Sequence, residues 1–330
     1  MRVLLALVLM SVLSYGQTVR ITGNQVTVDG KRLVGIADCT LGFWGMDGPC
    51  RGYSGDCANE PKGEERFVDI QTYSTTYRAA GFNTFRGGVG GLCSFSDPDQ
   101  LVPIFQEFKR DGWAVWISLF AGNDPRIGTP EGLAYVDILH QKFSPYADIW
   151  EISGEGTPPV LWVSQVAQRL RDLDAMEGRS RLITISWNDA SYAPYVDFNS
   201  PHQYFGPDDI PDAFHNSAQA EYSKMPGKPV VYGEIGNTGQ NWSYQNLNHL
   251  RDFLLQSRYE QTGVIFWNTS NAKDYVNPGA ANIYLGPDER NLVNSILSFE
   301  SGIFTPPPRI IVAPKAPPKR GPCWLTHICN

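Results

Sequence analysis

A single α/β barrel, made of eight strand–helix repeats, is the fold class this sequence predicts, and three observations carry it. Eight short runs are apolar on both faces, as parallel strands covered by helices have to be. Each run alternates with a stretch of helical periodicity. The repeats fill roughly 250 residues, the length a closed (β/α)8 barrel takes. A doubly wound open sheet would carry a glycine-rich phosphate turn after its first strand, and none follows residues 33–37.

In chain order, residues 19–22 and 25–28 alternate in polarity around Gly23-Asn24 and read as a short β-hairpin. Asp29-Gly30-Lys31 turns the chain into the first buried strand, 33–37. The long loop 38–63 holds Cys50 and Cys57; an ordered loop of that length is usually functional or stapled. A helical pattern over 64–80 stops at Gly81, a C-cap signal. Strand 82–86 is closed by Gly87-Gly88 and followed by the amphipathic stretch 100–110. Strand 113–120, helix 130–143, strand 147–152, helix 159–175 and strand 181–187 continue the rhythm. A short helical piece near Ser191 precedes strand 196–198, which runs toward His202. Helix 211–224, strand 229–233, helix 243–258, strand 263–268 and helix 288–299 complete the eight repeats.

Both ends differ from this body. Residues 1–16 have a basic start, a short apolar run and small residues before Gln17, the pattern of a secretory signal peptide. The chain is therefore expected to be secreted, either periplasmic or extracellular, with 17–304 as its catalytic domain. Residues 305–330 form a Pro-rich basic tail, with seven prolines in 305–322 and a terminal Cys pair. Six cysteines suit an oxidising compartment and allow fifteen pairings. Short spacings favour Cys50–Cys57 and Cys323–Cys329, leaving Cys39 with Cys93. No Cys/His cluster suggests zinc, so no metal or cofactor is expected. Residues 17–304 hold 22 basic and 34 acidic side chains, a net −12 that argues against nucleic acid as a partner. No run after the leader reaches membrane-spanning length, and a monomer is the expected state.

In a barrel of this kind the strand C-terminal ends and the loops beyond them form the active face. Here that face collects Asp38, Arg86, Asn123, Asp124, Glu155, Trp187, Asn188, His202, Tyr204, Glu234, Trp267 and Asn268. A single carboxylate is more often a solvated surface group than a catalyst. Two glutamates delivered by strands four and seven, with an arginine, tyrosines and tryptophans around them, have the composition of a sugar-cleaving site.

The segment Trp150-Glu151-Ile152-Ser153-Gly154-Glu155 resembles the strand-four signature of the clan of retaining glycoside hydrolases that includes cellulases, mannanases and β-galactosidases. Tyr232-Gly233-Glu234 resembles its strand-seven nucleophile, and residues 82–86 its strand-two motif with an Arg against that nucleophile. Residues 197–204, with His202 and Tyr204, are similar to the strand-six motif, and Phe266-Trp267 to the strand-eight sugar platform. The resemblance covers about 30–270 and implies Glu155 as acid/base and Glu234 as nucleophile. Arg86 and Tyr204 would hold Glu234 ionised, while drier surroundings would raise the pKa of Glu155. Trp267, His202, Trp187, Asn188 and Asn123 would line the sugar, although His202 suits a structural hydrogen-bonding role equally well. Glu151 lies deeper in its strand and suits a buried, paired carboxylate. One position departs from the pattern. The clan carries Asn before the acid, against the sugar 2-hydroxyl, and this chain has Gly154. The implied activity is retaining hydrolysis of an oligo- or polysaccharide β-glycoside; the alternatives are a glycan-binding or scaffold barrel without catalysis, and an adhesion protein.

Overall fold

The computed structural model describes residues 17–37, 70–89, 98–122, 124–186, 189–206, 210–237, 247–267 and 287–298. Strands β1 (Val19–Thr22) and β2 (Gln25–Val28) pair antiparallel as the sequence suggested. A third strand, β3 (Lys31–Arg32), joins the free side of β2. Asp29 and Gly30 connect β2 to β3 with φ of 50° and 78°. Two successive positive φ values are what a two-residue hairpin loop needs, and Asp-Gly is a pair that tolerates them.

The main sheet alternates with helices along the chain. It begins with β4 (Val34–Ala37), α1 (Ile70–Ala80), β5 (Thr84–Gly88) and α2 (Val102–Arg110). β6 (Ala114–Ser118), α3 (Pro130–Phe143), β7 (Ile149–Glu151), α4 (Val160–Met176) and β8 (Leu182–Thr184) follow. The second half holds β9 (His202–Phe205), α5 (Ile210–Lys224), β10 (Val231–Asn237), α6 (Leu247–Tyr259), β11 (Gly263–Trp267) and α7 (Pro287–Leu297). All neighbouring strands of this sheet pair parallel, in the order β8-β7-β6-β5-β4-β11-β10-β9. A 3-10 turn at Ala190–Tyr192 stands between β8 and β9, where the sequence marked only a short helical piece.

The ends of that strand order meet through residues 196–199. Asp197 N donates to Ile183 O at 2.7 Å, and Asn199 bridges Val230 in parallel. These contacts close the barrel. The sequence places a strand at 196–198, whereas the ladder proper starts at His202. Pro201 explains the displacement, since it has no N–H to continue the pairing.

Helix starts follow local chemistry. At α3, Thr129 Oγ1 accepts from Gly132 N at 3.1 Å, Pro130 occupies the first position, and Glu131 sits in the positive first turn. The core has two layers. Inside the barrel, Ala37, Ala114, Trp116, Ile149, Phe198, Val231 and Ile265 pack together, and Val26 and Val28 of β2 plug the end where the strands begin. Outside, strand residues pack against the helices; Phe85 of β5 stacks on Phe108 of α2 with ring centroids 3.7 Å apart. The leader, the tail, all six cysteines and the two Asn-x-Ser sequences that match glycosylation acceptors, Asn241-Trp242-Ser243 and Asn268-Thr269-Ser270, lie outside the described residues. Among the described residues no helix is long and apolar enough to cross a membrane.

Phe85 is fully buried between sheet and helix, so Phe85→Ala should cost about 3–5 kcal/mol in chemical denaturation. A cost under about 1 kcal/mol would contradict the outer core described here.

Candidate active site

The site is built around one guanidinium. Arg86 lies on β5 and points into the barrel, with its side chain 3% exposed. Its Nε and Nη2 donate to Glu151 Oε2 and Oε1 at 2.7 and 2.8 Å, a two-pronged bond. The remaining Nη1 donates to Glu234 Oε1 at 2.9 Å. Burial disfavours the charge on Arg86, but Glu151 and then Glu234 more than offset this, and its pKa is raised. Glu151 also accepts from Trp116 Nε1 at 2.8 Å and from the Ser186 hydroxyl. This confirms Glu151 as a buried, paired carboxylate, with its side chain 0% exposed.

Glu234 reaches the barrel interior because β10 is bulged. Tyr232 pairs with Val264 and Ile235 with Phe266, so Gly233 and Glu234 together face the single residue between those partners. Simple alternation from inward Val231 would send Glu234 outward. With the bulge, Tyr232 and Ile235 both pack in the outer core and Glu234 turns inward. At this step a Cβ on Gly233 would lie 2.5 Å from Ser200 Oγ and would displace that hydroxyl. Beyond its bond to Arg86, Glu234 Oε2 accepts from the Tyr204 hydroxyl at 2.7 Å. Burial first, and the charge of Glu234 second, push the Tyr204 pKa far upward, so Tyr204 keeps its proton and acts as a donor.

Glu155 comes from the loop after β7, two inward steps beyond Glu151. That loop is pinned from several sides. Gly154 N donates to Phe120 O at 2.7 Å, Ser153 Oγ donates to Glu155 O at 2.9 Å, and Gly122 presses against it. A Cβ on Gly122 would sit 1.8 Å from Glu155 O, so only glycine lets the two loops touch. The Glu155 side chain is 49% exposed, and its Oε1 lies 3.1 Å from His202 Nδ1. That hydrogen bond pulls the Glu155 pKa below the ordinary glutamate value, with burial opposing. The sequence resemblance implies a pKa raised by dry surroundings. The structure corrects it: the carboxyl is half open to solvent and has a partner that favours its ionised form.

His202 is level with Glu234 across the β9–β10 ladder, and its Nδ1 is also 3.3 Å from Glu234 Oε2. Thus Arg86, Glu155, His202, Tyr204 and Glu234 come together as the sequence suggested. Asp124 does not join them. Both its oxygens bond Arg126, at 2.9 and 2.6 Å, and Arg126 stacks 3.8 Å from the Tyr135 ring centroid, which braces the loop after β6. Asn123, Trp187, Asn188, Asp38, Asn268 and the side chain of Trp267 lie outside the described residues; the backbone of Trp267 ends β11 opposite Ala37. Trp116 and Ser186 were missed. Ser186 is the inward position two residues beyond Thr184, a signal that alternation along β8 carries.

Among the described residues two groups of side chains have the donor types of a metal centre, Glu155/His202/Glu234 and His140/Asp174/Glu177, each with atoms within 4.8 Å of one another. The second is an ion-pair knot at the opposite end of the barrel. Asp174 there accepts from His140 at 2.9 Å, from Trp150 at 3.3 Å and from the Arg181 guanidinium. In the first, Arg86 lies against Glu234 and disfavours an added cation.

No protein-family model and no curated protein sequence matches the chain. Solved structures do share its fold. A tri-modular GH5 (subfamily 4) endo-β-1,4-glucanase from Bacillus licheniformis superposes with a TM-score of 0.55 at 12% identity, over 83% of this chain and 60% of that one. This chain therefore spans less than two thirds of that enzyme. A GH5-4 broad specificity endoglucanase from Clostridium cellulovorans gives 0.53 at 13% identity, over 82% and 94%. ScGas2 gives 0.52 at 13% identity, over 87% and 70%. The (β/α)8 barrel of these glycoside hydrolases is the fold of this chain.

Removing Glu151 would leave half of the Arg86 fork without its counter-charge in a dry interior. Glu151→Ala should therefore destabilise the fold by about 3–5 kcal/mol, read by denaturant titration. A change under about 1 kcal/mol would show that the fork is not a structural tie.

Proposed function

We propose that the chain is a secreted retaining β-glycoside hydrolase acting on an oligo- or polysaccharide. Residues 17–304 would be the catalytic domain, 1–16 an export leader and 305–330 an appended tail. The observation that carries the reading is the carboxylate pair. Oxygens of Glu155 and Glu234 lie within 4.8 Å of each other on the C-terminal face of the barrel. Such a close approach favours the roughly 5–5.5 Å carboxyl separation of retaining enzymes over the ~6.5–9.5 Å of inverting ones, which must seat a water between the groups.

The two carboxylates also sit in unequal surroundings, as their proposed roles demand. Glu234, ionised against Arg86 and Tyr204, attacks the anomeric carbon while Glu155 gives its proton to the departing oxygen. Glu155 then takes a proton from water, whose oxygen attacks the same carbon and releases Glu234 as a carboxylate. Since Glu155 is drawn toward its ionised form in the free enzyme, substrate must displace water and weaken the His202 bond before the first step. Trp267, at the end of β11, is the proposed platform under the sugar, with Asn123, Trp187 and Asn188 as further sugar contacts. Likeness to endoglucanase barrels supports this class of substrate. A glycan-binding barrel without turnover is the second reading, favoured by Gly154 and by the ionised state of Glu155.

Parent and variant enzymes assayed on aryl β-glycosides test the proposal. Glu234→Gln should lose on the order of 10⁴-fold in kcat, and Glu155→Gln about 10²–10⁴-fold in kcat/KM, least with leaving groups that need no proton. A fluorosugar that traps the intermediate should label Glu234. Undiminished turnover in both variants would sink the mechanism, and a parent that binds glycans without cleaving any would favour the second reading.

A further inference from the structure

His202 presents a single nitrogen to both glutamates. Its Nδ1 is 3.1 Å from Glu155 Oε1 and 3.3 Å from Glu234 Oε2. The side chain is only 9% exposed, and Nε2 is buried with no hydrogen-bond partner among the described residues. A proton on Nε2 would be a buried donor without an acceptor, which is unfavourable. In a neutral ring the one proton would therefore stand on Nδ1, in hydrogen-bond geometry with Glu155 and at ion-pair distance from Glu234.

We infer that His202 is a one-proton switch, giving its Nδ1–H to whichever of Glu155 and Glu234 is ionised at each stage of the double displacement. This rests on the proposed roles of those two glutamates. Before the first step Glu155 carries a proton and Glu234 is the anion, so the N–H serves Glu234. As Glu234 bonds the anomeric carbon and the glycosidic bond breaks, Glu155 gives its proton to the departing oxygen. The negative charge has then moved to Glu155, and the N–H follows it. In the second step Glu155 removes a proton from water, the bond between Glu234 and the sugar breaks with its electron pair, and the N–H returns to Glu234. No proton is transferred through His202 itself. Glu155 holds the N–H in hydrogen-bond geometry and Glu234 Oε2 stands 3.3 Å away, so the exchange requires a turn of side chains and no backbone motion.

The two glutamates depend on this donor unequally. Glu234 also receives Arg86 from β5 and Tyr204 from β9, and Glu151 of β7 faces it only through Arg86. Among the described residues, the Glu155 carboxylate accepts from His202 alone. Loss of the histidine should therefore weaken Glu155 as an anion, the form in which it acts as base, and leave Glu234 largely supported. His202 is a positioning residue for the second step more than for the first.

Full-length His202→Leu and His202→Gln enzymes test this with a dinitrophenyl β-glycoside, whose leaving group needs no acid. In His202→Leu, kcat, limited by the second step, should fall about 10- to 100-fold, the loss of one hydrogen bond to a charged group. kcat/KM, which reports the first step, should stay within about threefold. Glycosyl-enzyme should accumulate, seen as a burst of dinitrophenolate. The sign of the pH effect follows from Glu155. Without His202 its pKa rises, so the acidic limb of kcat moves to higher pH. With a poor leaving group, the alkaline limb of kcat/KM moves up as well, because Glu155 stays protonated longer. His202→Gln, which keeps one N–H donor, should recover part of the kcat loss. Equal losses in both steps with unmoved limbs, in an enzyme whose Glu234 is still labelled by the fluorosugar, would overturn the switch and leave the double displacement standing. Failure of the parent to label or turn over would overturn both.

Discussion

The Arg86 fork is the constraint on which the rest of the site depends. Three ionised groups buried together cost several kcal/mol each in lost hydration, and only close, directional pairing offsets that. Arg86 meets the condition with both prongs on Glu151 and one on Glu234, which ties β5 to β7 and β10 across the barrel interior. A lysine, with a point charge in place of a planar fork, could not serve both carboxylates in this way. The chain accommodates the fork with two local devices. An even spacing on β7 points Glu151 inward, and a bulge on β10 turns Glu234 toward the same guanidinium.

The fork also divides charge. Of the four N–H bonds that Arg86 donates, Glu151 takes two, Glu234 one and Ser186 Oγ one, and with Trp116 and Ser186 donating to it Glu151 is saturated. Glu234 receives one, plus the Tyr204 hydroxyl. Glu155 stands outside this arrangement on a glycine-packed loop, half open to solvent, with the one imidazole nitrogen as its contact. Under the proposed mechanism, a tightly held carboxylate beside a looser, exposed one is what the reaction needs, since one group must stay ionised and the other must change protonation twice.

Much of this was legible in the sequence, and for physical reasons. Parallel strands buried on both faces leave continuous apolar runs, so the eight repeats could be counted. Strand-end polar residues stand out against those runs, which is how Arg86, Glu155, His202, Tyr204 and Glu234 were found together. The misses have equally specific causes. The bulge at Gly233 breaks the period-two rule, and nothing in the residue types around it says so. The strand assigned to 196–198 was displaced because a short apolar run reads alike whether it forms a ladder or a seam. The expected rise in the Glu155 pKa failed because burial cannot be read from a loop, and the bond to His202 is a tertiary contact between residues 47 apart in sequence. Trp116 and Ser186 face inward through ordinary alternation, but what an inward polar group touches is set across the barrel.

The central claim is that Glu234 forms a bond to the sugar and Glu155 assists on both sides of it. The stereochemistry of the first-formed product tests it most directly. Proton NMR of a β-glycoside during its first turnovers should show the β-anomer of the released sugar appearing ahead of mutarotation. An α-anomer appearing first would mean that water attacks in a single displacement, and would contradict the account.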